Sequence, residues 1–215
     1  MRAGALVLAL ALTAHPSMAQ RGFSGSLLLS LTEHRTDAGF GLERSSGLVF
    51  GAVAGRWLGP QVEVALHVAG GSLDASTPGA VDRDLGEIGL TTTVGAMPWL
   101  ALRARAARRV YSTPIARQAW TLVGVEAEAR VAFTEQHTRA LARLGLLPVA
   151  SASGMPRPDF AFTAAAGLEQ AVGAITLRAL YSLERYDFPT RDGAPRREQL
   201  SVLTLQARLA AGRQR

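Results

Sequence analysis

Apolar and polar residues alternate one by one along most of this chain. In QVEVALHVA (61–69), Val62, Val64, Leu66 and Val68 share one face, and Gln61, Glu63, Ala65 and His67 share the other. EIGLTTTVGA (87–96) sets Ile88, Leu90, Thr92 and Val94 against Glu87, Gly89, Thr91 and Thr93. In WLALRARAARRVY (99–111), Leu100, Leu102, Ala104 and Ala106 oppose Arg103, Arg105 and Arg109. AWTLVGVEAEARVAF (119–133) places Val123, Val125, Ala127, Ala129 and Val131 opposite Glu126, Glu128 and Arg130. A period of two belongs to strands with one apolar face. Residues 116–147 are rich in Ala, Glu, Arg and Leu, which favour helix. A helix would nevertheless scatter the charges of RARAARR and EAEAR around its circumference, whereas a strand gathers them on one side.

Ten strands are predicted, near 23–33, 46–57, 61–71, 84–97, 100–112, 118–133, 138–148, 159–169, 174–186 and 198–210. Tight turns are read from LGP, MPW, TEQH and QAVG. Longer polar joins are read from TDAGFGLERSS, SLDASTPGAVDR, STPIARQ, VASASGMPRP and DFPTRDGAPRRE. Short connections at one end and long ones at the other describe an all-β, up-and-down antiparallel transmembrane β-barrel with its long loops outside the cell. Eight strands are the fallback if 138–148 or 23–33 fails to pair. Phe23, Trp57, Trp99 and Phe133 fall at the short-turn ends. Tyr111, Trp120, Phe160, Tyr186 and Phe188 fall at the long-loop ends, so two aromatic girdles at the membrane interfaces are expected.

The first residues read MRAGALVLALALTAHPSMAQ: one Arg, a short apolar run, then Ser17-Met18-Ala19. This is the order of a secretory signal cleaved after Ala19, leaving a single barrel domain over 20–215. The apolar run is too short to cross a bilayer as a mature helix. After it no stretch reaches 18 apolar residues, which excludes a helical membrane protein.

Composition adds three points. Charged residues are 19% and hydrophobic ones 48%, an apolar chain whose hydrophobicity is dispersed. There is no cysteine, so disulfides contribute nothing to the fold. The net charge of +6 comes from a chain whose basic residues are all Arg, and nucleic-acid binding is not expected of an exported protein.

The chain thus resembles the small bacterial outer-membrane β-barrels of the opacity and OmpX/OmpW-like type, over its whole mature length and by pattern rather than by a diagnostic motif. The resemblance implies outer-membrane lipid and the barrel-assembly machinery as partners, and a monomer. It also implies a strand ending on an aromatic residue, whereas this chain ends LSVLTLQARLAAGRQR. Either the last strand stops near Leu209 ahead of a polar tail, or the barrel is not inserted in that way.

The candidate site is the charged face. By parity it carries Glu63, Glu87, Glu126, Glu128, Glu169 and Glu184, with Arg103, Arg105, Arg109, Arg130, Arg139, Arg143, Arg178 and Arg208. Counting back from the 112–118 loop sets Arg103 and Arg105 across from Glu128 and Glu126. Counting from the turn near 135 sets Glu128 across from Arg143. The expectation is a lumen ion-pair network of Arg103, Arg105, Glu126, Glu128, Arg143, Glu63, His67 and Glu87 that closes the barrel, since buried charges persist only when paired.

Two alternatives remain, a narrow anion-preferring pore lined by the surplus Arg and a soluble periplasmic barrel with a small apolar ligand in its core. Which face is apolar separates that soluble barrel from the membrane one. Catalysis has thin support. Asp82-Arg83-Asp84 resembles the acidic pair of omptin proteases, but no His follows His137. No metal or cofactor site is expected. His67 near Glu63 reads as a lumen His satisfied by a carboxylate, and Gly51 and Gly55 of GAVAG as small residues on one strand face.

Overall fold

The structure, a computed structural model, describes residues 22–39, 41–78, 80–133, 138–191 and 194–210. The expected signal segment and cleavage site, the TEQH turn and the polar tail beyond 210 lie outside the described residues. Ten strands follow one another: β1 (Phe23–Asp37), β2 (Leu42–Trp57), β3 (Val62–Ala75), β4 (Arg83–Met97), β5 (Leu100–Ser112), β6 (Arg117–Ala132), β7 (Thr138–Ala152), β8 (Phe160–Val172), β9 (Ile175–Arg191) and β10 (Ala194–Ala210). Each pairs antiparallel with its sequence neighbour, and β10 closes on β1 through a ladder from Ser24↔Ala210 to Asp37↔Arg197. The barrel is closed, up-and-down and ten-stranded. Both doubtful segments, 23–33 and 138–148, lie within paired strands, so the eight-stranded fallback is not needed.

The apolar positions point outward. Leu31 (54% exposed), Phe50 (57%), Val125 (54%), Leu144 (68%) and Leu205 (55%) stand on the outer wall, whereas Ser30, Thr32, Glu126 and Glu128 on the inner face are buried. Toward the end that carries the β1–β2, β3–β4, β5–β6, β7–β8 and β9–β10 connections, here the hairpin end, the outer face turns polar, with Glu33 ion-paired to Arg35 and Asp187 bonded to Arg185 (3.1 Å) and Arg197 (2.8 Å). The outer wall is thus an apolar band with a charged collar above it.

The strands run on into the long polar joins. Ser45, Ser46, Asp74, Arg83 and Glu198 all lie in ladders, and strands of 13–17 residues exceed the ~9–11 needed to cross a bilayer. Within STPIARQ, Ser112 pairs with Arg117 and the Thr113 N–H donates to the Ala116 carbonyl (2.8 Å). Only Pro114 and Ile115 remain as the turn. The expected wide loop is a tight hairpin, and the β5–β6 register moves by two residues as a result: Arg103 lies across from Glu126 and Arg105 from Gly124. The other register, Glu128↔Arg143, is as expected.

One irregularity reverses parity. Val125 pairs with Leu146 but Val123 pairs with Val149, so Leu147 and Pro148 together oppose Gly124. Proline offers no N–H to a ladder and within sheets is confined to edges and bulges. The bulge keeps Leu147, Ala150 and Ala152 inside and Val149 outside. Without a Cβ, Gly124 leaves room for Leu147, whose Cδ2 would lie 2.7 Å from one.

Candidate functional site: a filled polar lumen

Two charge clusters occupy the middle of the lumen. In the first, Glu128, 1% exposed, accepts hydrogen bonds from Arg130 (2.5 and 2.8 Å) and Arg143 (2.8 and 3.1 Å). Arg103 reaches Glu126 at 3.2 Å and Glu128 at 3.7 Å. In the second, Arg109 donates to Glu87 (2.5 Å) and Glu184 (2.8 Å), Arg105 donates to Glu184 (2.6 Å), and His67 bonds Glu87 (2.9 Å). The Tyr186 hydroxyl donates to Glu184 at 2.6 Å. Arg105 lies 3.9 Å from Glu126 and so bridges the two clusters.

Of the eight residues singled out in the sequence, the structure brings seven into this assembly. Glu63 lies apart, bonded to Arg208 (2.5 Å) and Ser24 (2.7 Å) across the β1–β10 seam. Arg178 and Glu169 form a separate pair. The bonds from Arg105 and Arg109 to Glu184 run across the lumen, from β5 to β9. Ladder registers describe neighbours within the wall and carry no information on such cross-lumen reach, which is why Glu184 stayed outside the predicted network; Arg109, by contrast, lies directly across the β4–β5 ladder from Glu87, a pairing that counting from the MPW turn would have reached.

Glycines on the inner face make room for these side chains. A Cβ on Gly89 would collide with the His67 ring, and would lie 2.8 Å from the Ala106 carbonyl oxygen and 2.9 Å from the Ala107 Cβ. One on Gly55 would lie 2.7 Å from a Glu63 oxygen, and one on Gly145 2.7 Å from the Glu126 Cγ. Gly51 and Gly55 thus have a specific role on their strand, since each backs a crowded lumen position.

Toward the hairpin end the lumen becomes apolar, which corrects the girdle expectation. Tyr111, Trp120, Tyr186 and Phe188, expected at the outer interface, are 2–5% exposed and form an internal cap with Leu73, Leu122 and Leu147. Trp120 packs on Tyr186 (centroids 4.7 Å) and Phe188 (6.1 Å). Met155, from the β7–β8 connection, covers this cap and accepts a hydrogen bond from Gln118 (2.6 Å). His34 completes the layer, stacked on Tyr111 (4.8 Å) and bonded to Glu198 (3.3 Å) and Arg83 (3.0 Å). Trp57, expected in the other girdle, shares the inner face with its ladder partner Glu63. Phe23, Trp99, Phe133 and Phe160 do lie at the outer surface, Phe23 beneath the Arg56 guanidinium at 5.5 Å.

The middle of the inner face is ionic, and its part toward the aromatic cap is a buried aromatic and aliphatic cluster. Asp82-Arg83-Asp84 is spent on the β3–β4 hairpin: Asp82 accepts from the Ala75 N–H (2.8 Å) and Asp84 from Ser72 (2.7 Å). Among the described residues no group of three or more His, Cys, Asp or Glu could hold a metal ion.

No protein-family model matches the chain, and no curated protein matches it. Among solved structures it is similar to the β domain of the Bordetella autotransporter Brka (12% identity, 89% of this chain and 100% of that one, TM-score 0.48). It is similar also to the translocator domain of autotransporter NalP from Neisseria meningitidis (12% identity, 96% and 94%, TM-score 0.47). A third is Ail, the attachment invasion locus protein of Yersinia pestis (11% identity, 88% and 100%, TM-score 0.32). No functional residue is transferred from any of them.

Proposed function

We propose that this chain is an exported outer-membrane β-barrel with a structural or surface-interaction role, its lumen shut by the ion-pair assembly and the aromatic cap. The carrying observation is the inversion of polarity. An apolar outer band surrounds a charged, hydroxylated interior, the arrangement that lipid demands of a barrel, because lipid-facing side chains lose nothing in hydrocarbon while the closed ladder satisfies every spanning backbone group. In water the same wall would present an apolar surface far larger than monomeric soluble proteins tolerate.

The reading takes the first 19 residues as the export signal, outer-membrane lipid as the solvent, the barrel-assembly machinery as the insertion route and the monomer as the working state. It keeps the narrower kinship with opacity and OmpX/OmpW-like barrels on the basis of pattern alone. The hairpin end with its charged collar faces outward from the cell and is the surface available to partners. No catalytic role is assigned to the lumen, whose acids are consumed by arginines.

Membrane fractionation of the expressed chain, followed by heat-modifiable gel mobility and planar-bilayer recording, tests this reading. It expects recovery with outer membranes, a mobility shift on boiling and no steady conductance. Mature protein in a detergent-free periplasmic extract would overturn the location, and steady conductance of the unaltered chain would overturn the shut lumen.

A further inference from the structure

Below the aromatic cap the lumen keeps a cavity of about 310 Å³, roomy enough for several waters. Ser24 and Arg208 line it near the end where the described chain begins and ends, and Val49 and Leu85 of the apolar cap cluster line it at the other. One side of its wall is ionic; Thr91, Thr93, Ser182 and Thr204 add hydroxyls, and Leu28, Val53, Leu180 and Val202 contribute apolar wall.

The charges around it do not balance. Arg208 pairs with Glu63 and Arg178 with Glu169, one to one. The remaining arginines, Arg103, Arg105, Arg109, Arg130 and Arg143, share only Glu87, Glu126, Glu128 and Glu184. Five cations against four anions leave one positive charge. A surplus charge in a confined lumen needs a counter-charge or hydrogen-bond acceptors.

The deficit has an address. Arg105 spends Nη1 on Glu184, but its Nε and Nη2 are buried without a hydrogen-bond partner. Glu87 is 3.9 Å from Nη2, too far to accept a bond. Thr91 is the ladder neighbour of Arg105 on the inner face and lines the same cavity, and on the other side Gly124 has no side chain to offer.

We propose that the lumen binds one small monovalent anion, a halide or a short carboxylate, on Nε and Nη2 of Arg105 beside the Thr91 hydroxyl, entering from the end at which the termini lie. The anion supplies the missing negative charge and accepts the two orphaned N–H groups. Charge-assisted bonds to guanidinium are among the stronger hydrogen bonds a protein makes. The cap prevents passage, so the site is a resident counter-ion position and not a step in conduction. The inference uses the polar lumen of the proposed function but not the membrane location.

The test is chloride binding, read as excess ³⁵Cl NMR line width over matched micelles, on the mature chain folded in detergent and exchanged into gluconate buffer. The folded chain should broaden the line, and acetate should reverse the broadening. Arg105→Lys keeps a charge for Glu184 but loses the paired donors, and should weaken chloride binding at least tenfold. Thr91→Val, which leaves every ion pair intact, should weaken it several-fold and carries the test if Arg105→Lys does not fold. Arg117→Lys, at an exposed hairpin, should change nothing. A heat-modifiable, folded chain with no excess broadening, or one equally strong in Arg105→Lys or in Thr91→Val, overturns the anion site and leaves the membrane barrel standing. Recovery in a soluble extract strikes the location alone.

Discussion

Replacing Glu128 with Gln removes one negative charge from one of the most enclosed acids of the lumen. Its two oxygens serve Arg130 and Arg143 directly, and Arg103 stands 3.7 Å away. Glu126 remains, 3.2 Å from Arg103 and 3.6 Å from Arg143, so those two cations keep a partner. Arg130 has no such reserve, because Glu128 is the acid it pairs with. Removing one member of a buried pair costs about 3–5 kcal/mol. With Glu126 absorbing part of the loss and Arg130 30% exposed, the lower figure applies, about 3 kcal/mol. At about 2–4 °C per kcal/mol for a chain of this length, the melting temperature should fall by roughly 6–12 °C. The assay is the temperature at which the folded band disappears on a gel run after stepwise heating in detergent. Arg117→Ala, removing an exposed hairpin charge worth about 0–1 kcal/mol, is the control. If Glu128→Gln melts within a degree of the parent, Glu128 is solvated and the enclosed-lumen argument fails.

Three further perturbations separate the parts of the lumen. Gly89→Ala should lower stability by about 1–3 kcal/mol, because backbone and Ala107 crowd the new methyl and the His67 ring cannot yield alone; Gly86→Ala, with nothing within 4 Å, should be neutral, and urea midpoints compare them. Trp120→Ala should cost about 3–5 kcal/mol and, by opening the cap, produce bilayer conductance that the parent lacks; a stable, non-conducting variant would contradict the cap's role. Deleting Pro148 removes the extra residue opposite Gly124 and should leave Leu147, Ala150 and Ala152 inward and Val149 outward in a barrel that still folds, and Pro148→Ala should shift the melting temperature by no more than a degree or two; a deletion variant that fails to fold would contradict the bulge register.

The strands and their facing were legible because lipid outside and charge inside impose a strict period of two, which Val123, Val125 and Ala127 against Glu126 and Glu128 display without interruption. Strand ends were less so. Beyond the apolar band the outer face is polar as well, so Ser45 and Asp74 look like loop although they stay in the ladder. The aromatics were misplaced for a different reason. Tyr111 shares parity with Arg109, and Tyr186 with Glu184, so the rule that turned the charges inward also turns these rings inward. Interface preference pointed the other way, and packing of the lumen prevailed. The Arg105–Glu184 and Arg109–Glu184 bonds had no signal in the sequence, because contact across a barrel depends on its diameter and on rotamers. Pro148 was the visible mark of the bulge: a proline inside an otherwise regular strand.

The chain has no cysteine, so single Cys substitutions report one position each. The most direct test of the central claim is to place them along β10 at Leu203, Thr204, Leu205, Gln206 and Ala207, fold each variant into liposomes, and measure labelling by a small water-soluble thiol reagent together with quenching of an attached fluorophore by lipid-borne quenchers. Positions 203, 205 and 207 should be quenched by lipid and label poorly with the aqueous reagent, and 204 and 206 should escape the lipid quenchers, a period of two in both signals. Labelling that is uniform along the strand, or lipid quenching at 204 and 206, would contradict an apolar wall turned to lipid around a polar lumen.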